Sequence, residues 1–155
     1  MTLVTLDPGV NGAIVCYESY PDEGTVSIET IHMPKTEEEI TELLMNCVEG
    51  SSSKPIFVVE QIPYTVGINR PGARMGKLFE NYGYLKGVLS CMYGEVVMVS
   101  PQKWQKMYAP LPKEYNAKKT KLWDIARELY PDDKVYRYAA DCFCLLNWYL
   151  NKDGE

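Results

Sequence analysis

Three carboxylates, Asp7, Glu60 and Asp141, stand in apolar surroundings that an ionised group tolerates only when something compensates it. Asp7 closes the run Thr2-Leu3-Val4-Thr5-Leu6, and Glu60 closes Ile56-Phe57-Val58-Val59. Asp141 is the only charge between Arg137 and Lys152. Removing a carboxylate from water is costly unless it is paired or bound to a cation. A divalent cation compensates several at once, and oxygen ligands suit magnesium. The chemistry that asks for such a trio is in-line phosphodiester hydrolysis. There, two ions about 3.5–4 Å apart activate the water and stabilise the leaving oxygen. Asp7 would bridge both ions. No histidine is required, and the sole His32, at the end of the third predicted strand, reads as structural. A Ser-His-Asp triad or a zinc cluster lacks the residues it needs. Each acid also has a plainer reading. Asp7-Pro8 suits the first two positions of a β-turn, Glu60 can be a polar strand end, and Asp141 can cap a late-starting helix.

The elements that must position these side chains follow from periodicity and turn chemistry. Strands are expected near 2–7, 11–17 and 25–31, joined by Asp7-Pro8-Gly9-Val10-Asn11-Gly12 and by a turn near Pro21-Asp22-Glu23-Gly24, as an antiparallel meander. Thr36-Glu37-Glu38-Glu39 offers a capping box before Ile40, Leu43, Leu44 and Cys47 at helical spacing. Strand 56–60 follows a loop, and an irregular segment 61–72 leads to a long helix over 73–92 with Leu78, Tyr82, Leu85, Leu89 and Met92 on one stripe. Gly76, Gly83, Gly87 and Ser90 form a second stripe, which suggests close approach of the sheet or of a partner helix. Helical glycine otherwise costs about 1 kcal/mol relative to alanine.

A strand at 95–99 precedes Ser100-Pro101, a cap with proline at the first helical position. Asn116 can cap a helix carrying Leu122, Ile125, Ala126 and Leu129 inward and ending at Pro131. The final helix, 135–150, is apolar nearly all round and should be buried. The order β-β-β-α-β-α-β-α-α predicts an α/β fold, a mixed sheet with helices on both faces. Strands 1 and 4 as parallel neighbours would set Asp7 beside Glu60 at the carboxyl edge, where open sheets bind ligands.

With 155 residues, one domain spanning 1–155 is expected. No signal-like or membrane-spanning run is present. Five cysteines without CxxC spacing favour reduced thiols in a cytosolic setting. A net charge of −5 argues at first against a nucleic-acid partner, but the distribution reverses that. Residues 61–137 hold 13 of the 16 Lys/Arg and only 7 of the 21 Asp/Glu, a local balance of +6. Phosphate binding answers to the local field.

The ordered motifs Leu6-Asp7-Pro8-Gly9-Val10-Asn11-Gly12, Val58-Val59-Glu60-Gln61-Ile62-Pro63, Lys77-Leu78-Phe79-Glu80-Asn81-Tyr82-Gly83, Val99-Ser100-Pro101-Gln102-Lys103-Trp104-Gln105-Lys106 and Ala139-Ala140-Asp141 span nearly the whole chain. In that order they resemble the RuvC-type Holliday junction resolvases of the RNase H-like superfamily, in the compact forms carried by phages. The resemblance implies an RNase H-like five-stranded mixed sheet, three strands antiparallel and two parallel, and a homodimer. It implies a crossover junction endodeoxyribonuclease that nicks four-way and other branched DNA in symmetric pairs with Mg2+ or Mn2+, two ions per site. The expected location is the cytoplasm, of the host cell for a phage protein.

It also implies Asp7, Glu60 and Asp141 as metal ligands, with Lys118 or Lys119 near the scissile phosphate. The segment 61–74 would face the substrate, with Tyr64 against an unpaired base or simply packed. Arg70, Arg74, Lys77, Lys103, Lys106 and Lys121 would contact phosphates. Trp104 reads as a core anchor. One position departs from the family: the acid or histidine usual three residues before the last Asp is Tyr138 here. A protonated phenol is a poor magnesium ligand, which keeps open a branched-DNA binding protein with weakened catalysis. An RNase H-like RNA-processing nuclease is the other alternative. The glycine-bearing helix is the expected part of a self-association surface.

Overall fold

The computed structural model describes residues 1–51, 53–63 and 72–152, with Arg74 described by its backbone alone. The sheet is built from β1 (Thr2–Leu6), β2 (Ala13–Tyr20), β3 (Thr25–His32), β4 (Ile56–Glu60) and β5 (Glu95–Val99), in the order β3-β2-β1-β4-β5. The first three strands are antiparallel; β4 and β5 add in parallel. Leu6 pairs with Val59 across β1 and β4, so Asp7 and Glu60 follow side by side at the carboxyl edge, as the topology predicts.

Alternation along the strands feeds two cores. Val4, Leu6, Ile14, Phe57 and Val59 face α1 (Glu37–Val48) and α2 (Ala73–Cys91). Leu3, Ala13, Val15 and Val58 face the opposite layer, made by α3 (Pro101–Gln105), α4 (Tyr115–Leu129) and α5 (Ala140–Asn151). In α5 every residue from Ala140 to Leu146 is buried, the burial that its apolar character predicts.

Local signals decide several boundaries. Thr36 and Glu39 form the expected reciprocal cap of α1: the Glu39 N–H donates to Thr36 Oγ1 at 3.2 Å, and the Thr36 N–H donates to Glu39 Oε2 at 3.3 Å. The turn after β1 is longer than expected, because the Gly12 N–H donates to the Gly9 carbonyl at 2.8 Å, and β2 therefore starts at Ala13. Gly12 is obligatory there. A Cβ would collide with the Asp7 carbonyl oxygen and stand 2.8 Å from that of Gly9.

Other expectations are corrected. Cys16 and Cys47 form a disulfide, with Cα atoms 6.0 Å apart, where reduced thiols were expected; β2 and α1 point both side chains into one core layer. Cys91, Cys142 and Cys144 are free thiols. Glu114, not Asn116, caps α4, accepting from the N–H groups of Asn116 and Ala117 at 2.9 and 2.6 Å. Its carboxylate adds charge to the positive helix end, which an amide cannot. Leu129 is 40% exposed rather than inward, because the helix ends there. The last helix is split: a 3-10 turn over Arg137–Ala139 precedes α5, and Ala139 rather than Asp141 is its N-cap. Of the glycine stripe on α2, a Cβ at Gly76, Gly83 or Gly87 would meet nothing within 4 Å, so the sheet does not approach it. Tyr82, Leu85 and Leu89, from the apolar stripe expected of this helix, are buried.

Candidate active site

Three separate devices bring the acids to one edge of the sheet. The turn after β1 holds Asp7: its Oδ1 accepts from the Gly9 N–H at 3.0 Å, and its own N–H donates to the Ala13 carbonyl at 3.0 Å. The hydrogen-bonded turn lies at Gly9–Gly12 and not at Asp7-Pro8 as expected, and the Asp7 side chain stiffens the loop that presents it. From α2, Asn81 Nδ2 donates to the Pro8 carbonyl at 2.7 Å and pins that loop against the helix.

Glu60, at the end of β4, is held by Trp104. The indole Nε1–H donates to Glu60 Oε2 at 3.1 Å. Trp104 is fully buried, so it is the core anchor expected and also the clamp on this carboxylate. Asp141 arrives from the opposite layer in the first turn of α5, only 7% exposed. That helix is seated on the sheet by Thr5 Oγ1, which donates to the Cys142 carbonyl at 3.0 Å, and by Cys142 Sγ, which donates to the Ala13 carbonyl at 3.2 Å.

The electrostatics follow from burial and like charge. Burial, reinforced by Asp7 and then Asp141, pushes the Glu60 carboxyl up to about 8. Burial also raises Asp7; Lys119 and the Gly9 N–H oppose the rise, and Asp141 adds to it. Lys119 reaches in from α4 and forms an ion pair with Asp141 Oδ2. Burial disfavours its charge, but Asp141 and Asp7 outweigh that and hold the ammonium well above the usual lysine range. Lys118, its neighbour, makes no ion pair with the trio.

Asp141 Oδ1 is buried without any hydrogen-bond partner. Such an orphan in a set of carboxylate oxygens is the donor chemistry of a hard divalent cation. The residues therefore fit magnesium or manganese. Among the described residues, no three His, Cys, Asp or Glu side chains are gathered into a ready-made cage. The cation that holds Asp141 in this structure is the Lys119 ammonium.

The remaining candidates lie elsewhere. Lys77, Lys103, Lys106 and Lys121 are exposed, and Lys103 lies 5.6 Å from the centroid of the Trp148 ring. Tyr64 and Arg70 fall outside the described residues, as does the side chain of Arg74. Tyr138, one turn before Asp141, packs its ring against His32 at 4.8 Å and Tyr136 at 5.2 Å. Asn81 and the Glu60 contact of Trp104 escaped the sequence reading. Both stand in its motifs, but their partners are 73 and 44 residues away.

No protein-family model and no curated protein sequence matches the chain. Its fold is matched among solved structures. Thermus thermophilus RuvC in complex with a Holliday junction substrate superposes with a TM-score of 0.64 at 11% identity, covering 99% of this chain and 96% of that one. A second Thermus thermophilus RuvC structure gives 0.60 at 14%, covering 99% and 97%. The Fowlpox virus resolvase in complex with Holliday junction DNA gives 0.54 at 12%, covering 98% and 96%. The chain thus has the RNase H-like fold of these resolvases, with the five-stranded mixed sheet that the sequence motifs implied.

Proposed function

We propose that this chain, as one domain over residues 1–155, is a homodimeric endodeoxyribonuclease that resolves four-way and other branched DNA. The observation that supports the reading is that Asp7, Glu60 and Asp141, carried by three elements, lie near enough at one edge of the sheet to act electrostatically on one another, with Lys119 among them. Two magnesium ions, or manganese in their place, would activate the attacking water and stabilise the leaving oxygen. The chain's own residues supply the rest. Asp7, Glu60 and Asp141 would hold the ions, with Trp104 fixing Glu60 and Gly9 fixing Asp7. Lys119, which pairs with Asp141 as Lys118 does not, would meet the negative charge that develops on the phosphate.

Arg70, Arg74, Lys77, Lys103, Lys106, Lys118 and Lys121 would contact the backbone of the arms, and Tyr64 an unpaired base. Among the described residues no helix is long and apolar enough to cross a membrane. The proposed location is the cytoplasm, or that of the host for a phage protein.

Purified protein incubated with a labelled four-way junction and either cation tests the reading. Paired symmetric nicks, lost in Asp7→Asn while junction binding persists, are expected. Tight binding without nicks in magnesium and in manganese would favour a binding protein, the reading that Tyr138 supports. Faster cutting of RNA or hybrid duplexes would favour an RNA-processing nuclease.

A further inference from the structure

We infer that Lys119 is an internal counter-ion that occupies the carboxylate site in the absence of metal and is exchanged for a divalent cation on loading. The inference rests on the metal-dependent reading above and goes beyond it, because it assigns the lysine a role before any substrate arrives. Lys119 is on α4 and Asp141 on α5, yet their side chains are joined by an ion pair while only 20% and 10% exposed. It is the only salt bridge among the described residues, although the chain carries 16 basic and 21 acidic residues. A single ion pair of low exposure, set beside the buried carboxyl groups of Asp7 and Glu60, marks a site built around a cation.

The second observation is the orphaned Asp141 Oδ1. One oxygen of this carboxylate is satisfied by the ammonium, and the other, buried, has no donor. Here the ammonium serves one oxygen of the group, whereas a divalent ion draws ligands from several carboxylates at once. The resting arrangement is therefore half-satisfied, and exchange completes it. Once displaced, the ammonium stays tethered to α4 beside the loaded ions, where it can meet an incoming phosphate. The same side chain thus opposes metal binding and favours the reaction.

These two effects separate on substitution. In Lys119→Met, metal should bind more tightly, by about tenfold or more, because a competing positive charge is gone. Junction cleavage at saturating metal should nevertheless fall. Lys119→Arg, which keeps the charge, should retain the weak affinity of the unsubstituted protein. Manganese binding is read by calorimetry or by the electron-paramagnetic signal of the free ion, without DNA. Should Lys119→Met be unstable without metal, Lys119→Gln keeps a neutral donor for Asp141 and should show the same tightening.

Unchanged or weaker manganese affinity in both neutral variants would overturn the exchange. Tightening in a protein whose unsubstituted form never cuts junctions would uphold the exchange and remove the nuclease reading. Cutting without tightening would remove the exchange alone.

Discussion

Glu60 is the acid whose environment is most fully specified. A carboxyl pushed up to about 8 holds its proton in the folded chain at pH values where the unfolded chain has lost it. The folded state therefore binds more protons between the ordinary value of 4.5 and about 8. By linkage, stability without metal is greatest below that window and falls as pH rises through it. Thermal melts in chelator should show the melting temperature declining from pH 5 toward pH 8, with the slope flattened in Glu60→Gln. An unchanged slope would assign the decline to other groups.

Trp104→Phe isolates the indole donor. The ring remains in the core, but the 3.1 Å bond to Glu60 is lost. Removing such a ligand-orienting contact typically costs 10–100-fold in metal affinity or activity. The expected result is about a tenfold fall in manganese affinity with native-like far-ultraviolet circular dichroism. Equal affinity would reduce Trp104 to packing.

At the scale of elements, the loop Asp7–Gly12 is the most constrained piece of backbone near the site. Gly12→Ala forces a Cβ into the Asp7 carbonyl oxygen, so the turn must move and carry Asp7 with it. A loss of about 2–4 kcal/mol in chemical denaturation is expected, with cleavage abolished. A variant of ordinary stability would show that the turn has slack.

Elements whose signals are local were legible in the sequence. Thr36 and Glu39 are three residues apart, and their capping box is present as written. The parallel pairing of β1 and β4, and so the meeting of Asp7 with Glu60, followed from topology rules. What was hidden is long-range or a matter of competition. The Cys16–Cys47 disulfide joins residues 31 apart whose shared core layer only the packed fold reveals. At the start of α4, Glu114 and Asn116 both have capping chemistry two residues apart, and the helix starts at the earlier one, whose carboxylate also suits the positive helix end. Lys119 could not be separated from Lys118 by sequence, because one residue is about 100° of helix, and only docking of α4 on α5 says which side chain turns inward.

The whole molecule combines an acidic sum with a basic middle. Affinity for a junction should follow the basic segment, and so decline steeply with salt. A fall of tenfold or more between about 50 and 200 mM salt is expected, with the net charge of −5 making no difference to the trend. Salt-insensitive binding would point to recognition without phosphate contacts. The fold is that of the Holliday junction resolvases it superposes on, but fold alone does not assign chemistry; the site must.

The most direct test is therefore anomalous diffraction from crystals soaked in manganese. Density touching oxygens of Asp7, Glu60 and Asp141, with Lys119 withdrawn from Asp141, is the expected result. Saturating manganese that leaves this edge empty, with the ammonium still paired to Asp141, would contradict the proposal that these three acids grip catalytic ions.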